Sequence, residues 1–223
     1  RLVVPERLAG AVGDRATRLA EDDLRRAGIP LAHVGDGMGV EVALPLRDQG
    51  ALDAHWGAER TYDYYWTNHA RNSIDDNGKK LLSYVHYGNN FANAFWDGNR
   101  MTYGDGGGGT TIFTALDICG HEVTHGVTEW SANLNYSYES GALNESFSDI
   151  FGTAIEQFSR PSNWNWKIGE DIYTNNVGMR NMANPNQFGD PDTYKGNNWW
   201  SSAGDNGGVH TNSGVPNYWF YLL

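Results

Sequence analysis

The stretch His121-Glu122-Val123-Thr124-His125 decides the fold. Residues four apart on an α-helix lie on the same face, so both imidazoles can reach one metal ion. Glu122 lies beside the first histidine, where its carboxylate can take a proton from a water held on that ion. The ordinary alternative is an amphipathic core helix that carries two unrelated histidines. The pattern favours a helical zinc site with an acid–base glutamate.

A second segment, GALNESFSDIFG at residues 141–152, predicts the rest of the site. Catalytic zinc has three protein ligands and one open position, whereas structural zinc is usually held by four. Glu145 and Asp149 are four apart, so they lie on one face of a second predicted helix. We expect Glu145 to be the third ligand and Asp149 to hydrogen-bond the far nitrogen of a ligand histidine. Apolar residues between these carboxylates favour a buried site over a solvated helix face.

Together, HEVTHGVTE at 121–129 and the 141–152 segment resemble the thermolysin family of zinc metallopeptidases. The likeness covers most of residues 55–223. It includes YDYYW (62–66), VHYGNNFANAFWDGNRMTYGDG (85–106), IGEDIY (168–173), GMRNM (178–182) and DNGGVHTNSGVPN (205–217). The resemblance implies a zinc endopeptidase that cuts before bulky hydrophobic residues, with attack by a zinc-bound water that Glu122 activates. It also implies an α+β fold with an antiparallel sheet-rich N-terminal lobe, a central zinc-binding helix and the start of a helical C-terminal lobe.

The resemblance implies further roles at the reacting centre. His121, His125 and Glu145 match the zinc ligands. His210, with Asp205 shortly before it in the sequence, matches an imidazole that donates to the tetrahedral oxyanion. Tyr136 matches a second donor to that oxyanion. Without the zinc motif, His210 would be an ordinary loop histidine and Tyr136 a surface aromatic residue.

A further set of residues matches positions that bind substrate in the family. A strand edge pairs with the peptide backbone, an apolar pocket accepts a side chain, and an arginine at the pocket rim grips a substrate carbonyl on the leaving-group side. These are, in order, Asn93, Ala94 and Trp96; Phe113, Ile118, Ile168, Ile172 and Met179; and Arg180. The pocket predicts cleavage before Leu, Ile, Phe or Val.

Calcium is the second expected metal. Asp117, Glu156 and Glu170 match calcium ligands of the family, and carboxylate oxygens suit Ca²⁺. Asn165 and Lys167 stand where two further acidic ligands would be expected, and a lysine ammonium repels a second divalent ion. We therefore predict at most one calcium ion.

Composition limits the remaining possibilities. The chain has 223 residues and a net charge of −11, which argues against nucleic acid as a partner. It has no apolar run of the roughly 18 residues that a membrane span needs. The single cysteine, Cys119, excludes an intrachain disulfide. We expect a secreted or extracellular monomer whose partners are protein and peptide substrates and its own propeptide.

The N-terminal segment is interpreted as a propeptide remnant. Residues 1–28 carry a helical pattern, and residues 1–34 resemble the short prosegment of protealysin-like members of the family. We expect self-cleavage within residues 28–52. The alternative is a surface helix of the mature enzyme.

The rest of the chain divides into two predicted units. Residues 35–131 form the sheet-rich lobe that ends in the zinc helix, and residues 132–223 form an incomplete helical and loop lobe. Within them we expect a short strand or irregular link at 35–50, antiparallel strands across 61–103 and long loops across 160–215. Because the family continues past the last helix, we expect that the chain is truncated at Leu223.

Two other interpretations stay open at this point. Trp164, Trp166, Trp199 and Trp200 could form a carbohydrate-binding surface on a protein with structural zinc, or the chain could be a catalytically incompetent fragment. A zinc aminopeptidase also pairs this helix motif with a downstream glutamate, but residues 93–96 fit the strand of an endopeptidase instead. The carboxylate ligand and the acid–base glutamate argue against a purely structural zinc.

Overall fold

The computed structural model describes residues 48–223 throughout, and three short strands before them. These strands are β1 (Val3–Val4), β2 (Ala32–His33) and β3 (Glu41–Val42). Strands β2 and β3 pair with each other in antiparallel orientation. The helical pattern predicted for residues 1–28 lies outside the described residues, as does the predicted boundary at residue 34.

A long helix replaces the first of the predicted strands. Helix α1 (Gln49–His69) begins at Asp48, whose side chain accepts a hydrogen bond from the Ala51 backbone N–H. The prediction of antiparallel strands from residue 61 was therefore wrong over residues 61–69. The buried residues of α1, among them Ala51, Ala54 and Ala58, recur every three or four positions, which is the period of a helix. Clustered tyrosines had suggested strand propensity, but the helical burial pattern prevails.

Three strands follow α1 and form a sheet next to the site. They are β4 (Ser83–Tyr87), β5 (Ala94–Trp96) and β6 (Met101–Gly104). The sheet order is β1-β4-β6-β5, and β5 pairs with β6 in antiparallel orientation. Strands β4 and β6 are parallel, so the prediction of a purely antiparallel sheet was wrong. In the part of the chain that the structure describes, β5 is an edge strand with one side open.

Two helices carry the site residues, α2 (Leu116–Ser131) and α3 (Tyr138–Ser159). They pack closely because glycines face each other across the contact. A Cβ atom at Gly152 would lie 2.5 Å from the backbone oxygen of Asp117, and one at Gly120 would lie 2.9 Å from Ile155. The other side of α2 packs against α1 and the sheet in a core that includes Cys119 and Val123. Helix α2 therefore lies at the centre of the molecule.

The last part of the chain contains short elements joined by loops, as predicted for residues 160–215. These are β7 (Lys167–Ile168), a 3₁₀ turn (Glu170–Ile172), β8 (Arg180–Asn181), a second 3₁₀ turn (Pro185–Phe188), α4 (Asp205–Asn212) and α5 (Gly214–Leu222). The prediction of an α+β fold is confirmed. Among the described residues, no helix has the length and apolar character needed to cross a membrane.

Candidate metal centre and active-site cleft

Two helices bring three potential metal ligands together. Nε2 of His121 and Nε2 of His125 are 3.0 Å apart. On α3, Glu145 places Oε2 at 3.4 Å from Nε2 of His121 and Oε1 at 3.4 Å from Nε2 of His125. Each of these three side chains offers one ligand atom, and the three atoms all lie within 4.8 Å of one another. Helical spacing explains the meeting of the two imidazoles, and the α2–α3 contact brings in the carboxylate.

Hydrogen bonds behind the imidazoles fix which nitrogen faces the centre. Nδ1 of His121 donates to Oδ1 of Asp149 at 2.9 Å, and Nδ1 of His125 donates to Oδ1 of Asn144 at 2.7 Å. With both Nδ1 atoms donating, both Nε2 atoms turn their lone-pair positions towards the same point, where each can bind a proton or a metal ion. Asp149 was predicted from the sequence. Asn144 was not, because its amide gives no signal beyond its place beside Glu145.

These lone pairs give the centre a strong affinity for positive charge. Two imidazole lone pairs and a carboxylate repel one another unless a cation lies between them. Oε2 of Glu145 is buried and has no hydrogen-bond partner. Burial disfavours the charged imidazolium, yet Asp149 and Glu145 raise the pKa of His121 to about 10. Nitrogen and oxygen donors in this number suit Zn²⁺ with one position left open.

Asp149 connects the centre to the cleft wall. Its carboxylate accepts two hydrogen bonds from Arg180, from Nε at 2.7 Å and from Nη2 at 2.6 Å. It also accepts one from the Asn217 amide at 2.8 Å. Burial opposes the charge, but Arg180 and His121 hold the pKa of Asp149 well below its usual range. Asp149 is therefore a permanent anion that orients both His121 and Arg180.

Glu122 is buried but faces the cleft beside His121. Burial raises the pKa of its carboxyl group, and the neighbouring imidazoles and the Trp96 backbone N–H partly offset that effect. A carboxylate with a raised pKa accepts and releases protons more readily near neutral pH than an exposed one.

Tyr136 and His210 lie next to each other, and both approach Oε1 of Glu145. The Tyr136 hydroxyl is 3.2 Å from Nε2 of His210 and donates a short hydrogen bond to Oε1 of Glu145. Nδ1 of His210 binds Oδ1 of Asp205 at 2.6 Å, and the His210 backbone N–H donates to Oδ2 of the same carboxylate at 3.0 Å. Left-handed backbone at Asp205 and Asn206, with φ of 52° and 49°, turns the Asp205 carboxylate back onto His210.

A cleft with a volume of about 580 Å³ opens over the centre. Its wall contains the predicted Asn93, Ala94, Trp96, Phe113, Ile118, Ile168, Met179 and Arg180. Ile172 does not line it, because its side chain lies in the core and is 2% exposed. Asp205 stands behind His210 instead of lining the cleft. The wall also contains residues that were not predicted from the sequence, namely Phe95, Glu129, Asn133, Leu134, Asn135 and Asn144.

Glu129 and Phe95 did carry a signal in the sequence. Glu129 follows His125 by four residues, so it had to share the face of the ligand helix, and Phe95 lies between two predicted lining residues.

The three predicted calcium ligands are buried around the start of α2. Asp117 accepts hydrogen bonds from the backbone N–H groups of Ile118 and Gly169 at 2.8 and 2.5 Å. One carboxylate oxygen of Glu156 and one of Glu170 are buried without a hydrogen-bond partner. Burial, with repulsion among the carboxylates, raises the pKa of Asp117 to about 7 and that of Glu156 to about 8. The unpartnered oxygens fit a cation, although these three carboxylates converge less tightly than the histidine centre.

Two of the four tryptophans that were considered for carbohydrate binding are held by contacts within the protein. Trp166 packs against Ile150, Ile168 and Met182 and makes edge contacts with Phe220 and Tyr221. The indole N–H of Trp200 donates to the Gly204 backbone oxygen.

A two-histidine, one-glutamate centre beneath a cleft is the arrangement of a zinc metallopeptidase, and comparisons with known proteins specify the family. Residues 39–129 match the family model of the thermolysin metallopeptidase catalytic domain, and residues 132–223 match that of its alpha-helical domain. The chain belongs to the thermolysin family of metallopeptidases.

Similar proteins include a bacillolysin of Bacillus cereus, 53% identical over 181 residues, and a thermolysin of Alicyclobacillus acidocaldarius subsp. acidocaldarius, 48% identical. Each alignment covers 79% of this chain, and 31% and 33% of the relatives. The chain therefore spans about a third of the length of these relatives. The solved precursor of protealysin, a metalloproteinase from Serratia proteamaculans, has a TM-score of 0.73 and 36% identity, covering 86% of this chain and 64% of that one.

Proposed function

We propose that the protein is a zinc-dependent endopeptidase. The observation that carries this proposal is the convergence of two imidazole lone pairs and the Glu145 carboxylate below a cleft that also contains the buried Glu122. A site that only stabilised the fold would need neither a three-ligand centre nor an acid–base group beside it.

His121, His125 and Glu145 would hold the zinc ion. When bound, zinc acidifies water and polarises the carbonyl group of the substrate. Glu122 takes the proton of the attacking water and passes it to the leaving amine. Tyr136 and His210 donate hydrogen bonds to the oxygen on which negative charge develops, and each such donor typically contributes about 2.7–4 kcal/mol. Asp205 keeps the proton-donating face of His210 turned towards the cleft.

The cleft accounts for a preference among peptides. The open edge of β5, at Asn93 and Ala94, can pair with an extended substrate backbone. Phe113, Ile118 and Ile168 are buried and present an apolar surface to the cleft. We infer cleavage on the N-terminal side of Leu, Ile, Phe or Val. An apolar pocket discriminates by only about 1–3 kcal/mol per methylene group, so the preference is broad.

Replacing Glu122 tests the function directly. Glu122→Gln keeps the size of the side chain and the three metal ligands but removes the proton acceptor. We expect full zinc content by metal analysis and a loss of nearly all peptide cleavage. The matched control is Glu139→Gln, which removes the same charge from an exposed residue outside the cleft. Wild-type cleavage by Glu122→Gln, or unchanged cleavage after chelation of zinc, would contradict the proposal.

The finer predictions concern calcium and the N-terminal segment. The unpartnered oxygens of Glu156 and Glu170 support one calcium ion with Asp117, whereas Lys167 disfavours a second.

Residues 1–34 are proposed as a propeptide remnant, in line with the likeness to the precursor of protealysin. Because Asp48 caps α1 and Ala51 is fully buried, self-cleavage is expected before Asp48. N-terminal sequencing of active enzyme checks this, and active protein that still begins at Arg1 would contradict it. An extracellular location is part of the same proposal.

A further inference from the structure

We propose that Glu129 is a specificity-determining residue that favours substrates with a lysine or arginine on the N-terminal side of the scissile bond. The inference rests on the proposed function, because it assigns a part of the same cleft. It concerns a side chain that binds no metal ligand and takes no part in the proton transfers described above.

The position of Glu129 follows from helix geometry. Glu129 comes four residues after His125 and eight after His121, so all three share one face of α2. Four residues advance a helix by about 6 Å, so the carboxylate lies one turn beyond the metal centre. It lines the cleft there, together with Asn133 and Asn135.

The opposite end of the cleft carries the apolar pocket and a cation. Ile118 lies almost one turn before His121 on α2. A Cβ atom at Gly169 would lie 2.8 Å from Met179 and 3.3 Å from Ile118, so these two side chains are neighbours. Arg180 follows Met179 and is bound to Asp149, behind His121. The cleft therefore runs along α2 from an end with the apolar pocket and the paired Arg180 to an end with Glu129.

The charge of Glu129 is available to a ligand. Its Oε2 accepts a hydrogen bond from the Trp96 indole N–H at 2.8 Å, a neutral donor that orients the carboxylate without cancelling its charge. Gly126 leaves room for this arrangement, since a Cβ atom there would lie 3.2 Å from the Trp96 ring. Within the described residues, no lysine or arginine forms an ion pair with Glu129. The nearby Lys79 stands over the Trp130 ring instead, 5.4 Å from its centroid.

The end of α2 adds to the negative potential. A helix C-terminus carries a partial negative charge, and the last turn of α2 contains no basic residue to offset it. A lysine or arginine side chain of a bound peptide would therefore be attracted to this end. Under the proposed function, the apolar pocket at the Arg180 end takes the residue after the scissile bond. A peptide extended along β5 then presents its preceding residues to Glu129 and Trp96.

A peptide series measures this preference. The peptides share one sequence with leucine after the scissile bond and carry either lysine or norleucine at one of the three preceding positions. Wild type, Glu129→Gln and the control Glu139→Gln are compared by the ratio of kcat/KM for the two peptides. Because a general loss of activity lowers kcat/KM for both peptides equally, it does not change this ratio. Glutamine keeps the shape of the side chain and an acceptor for Trp96.

We expect wild type to prefer lysine by about twofold to fivefold at one position, as exposed ion pairs allow. Glu129→Gln should reduce the ratio to about one, and Glu139→Gln should leave it unchanged. Raising the salt concentration to about 0.5 M should weaken the preference, because the charges are exposed.

Two results would overturn the inference while the peptidase proposal stands. In the first, wild type cleaves the norleucine peptides but shows no preference for lysine at any of the three positions. In the second, the preference for lysine is unchanged in Glu129→Gln. The affinities of the same peptides for Glu122→Gln and for Glu122→Gln/Glu129→Gln give a readout that is independent of turnover. Equal lysine-to-norleucine affinity ratios in these two proteins would also reject the role of Glu129.

Discussion

The hydroxyl group of Tyr136 lies 3.2 Å from Nε2 of His210, although 74 positions separate the two residues in the sequence. One comes from the turn before α3 and the other from α4, and both donors reach the same side of Glu145. Groups in direct contact do not contribute independently to catalysis.

Tyr136→Phe and His210→Ala should each lower kcat by about 100-fold to 1,000-fold with little change in KM, because each removes one donor to the developing negative charge. The double variant should lose less than the product of the two single losses, since the donors touch. Steady-state kinetics with zinc content checked for each variant provide the measurement. Near wild-type kcat in either single variant would exclude that residue from the reaction.

Asn144→Ala should weaken zinc binding by about tenfold to 100-fold, because it removes the acceptor that orients His125. Asn144→Asp should retain most of the affinity, since a carboxylate also accepts from Nδ1. Competition with a coloured chelator gives the dissociation constants. Asn135→Ala, which alters a cleft residue whose side chain forms no hydrogen bond to the histidines within the described part of the chain, is the control. Equal losses in Asn144→Ala and Asn135→Ala would contradict the supporting role.

His86→Asn should lower stability at acidic pH but not at alkaline pH. His86 binds Asp105 at 2.5 Å and Asp48 at 2.9 Å. Burial opposes the imidazolium, but these carboxylates raise the pKa of His86. A raised pKa in the folded state stabilises the protein below the unfolded pKa of about 6.5, and the effect is lost as pH rises through the folded value.

We expect His86→Asn to lower the free energy of unfolding by about 0.5 kcal/mol at pH 5.5, a small value because His86 is half exposed, and to leave it unchanged at pH 9. Urea unfolding in a Glu122→Gln background avoids self-digestion. Asparagine suits the left-handed φ of 60° at this position. A difference that grows with pH would refute the assignment.

Calcium titration of the zinc-loaded Glu122→Gln protein should detect at most one ion, and Asp117→Asn should abolish it. The expectation follows from the two unpartnered carboxylate oxygens of Glu156 and Glu170, and from Lys167, which stands where the resemblance would place a further acidic ligand. Isothermal calorimetry gives the stoichiometry. Two calcium ions bound near Asp117 would show that Lys167 does not exclude the second.

Digestion of a denatured protein should yield cuts mainly before Leu, Ile, Phe and Val, since the side-chain pocket is apolar. Mass spectrometry of the products maps the bonds. Met179→Glu, which places a charge at the pocket wall, should reduce cleavage before these residues. A majority of cuts before charged residues in the wild-type digest would rule out the assigned pocket.

Local spacing explains which parts of the site could be predicted from the sequence. His121, Glu122 and His125 depend on the helix repeat alone, and Asp149 depends on its spacing from Glu145. Asn144 could not be predicted, because its partner is set by how α2 and α3 pack. The same limit applies to the bidentate contact of Arg180 with Asp149, because that contact requires the tertiary fold. Helix α1 was not predicted, because its tyrosines have strand propensity. Its helical period shows only in which of its residues are buried.

If the protein is the peptidase proposed above, the open edge of β5 has a consequence for its own lifetime. A sheet edge binds backbone that is already extended and free to form hydrogen bonds, so folded chains offer few suitable segments. Any unfolded copy of the protein itself offers many. When refolding is fast relative to cleavage, self-digestion follows the equilibrium fraction of unfolded chain, and when cleavage is faster it follows the unfolding rate. Substitutions far from the cleft that loosen the core would then shorten the working life of the enzyme without altering a single turnover.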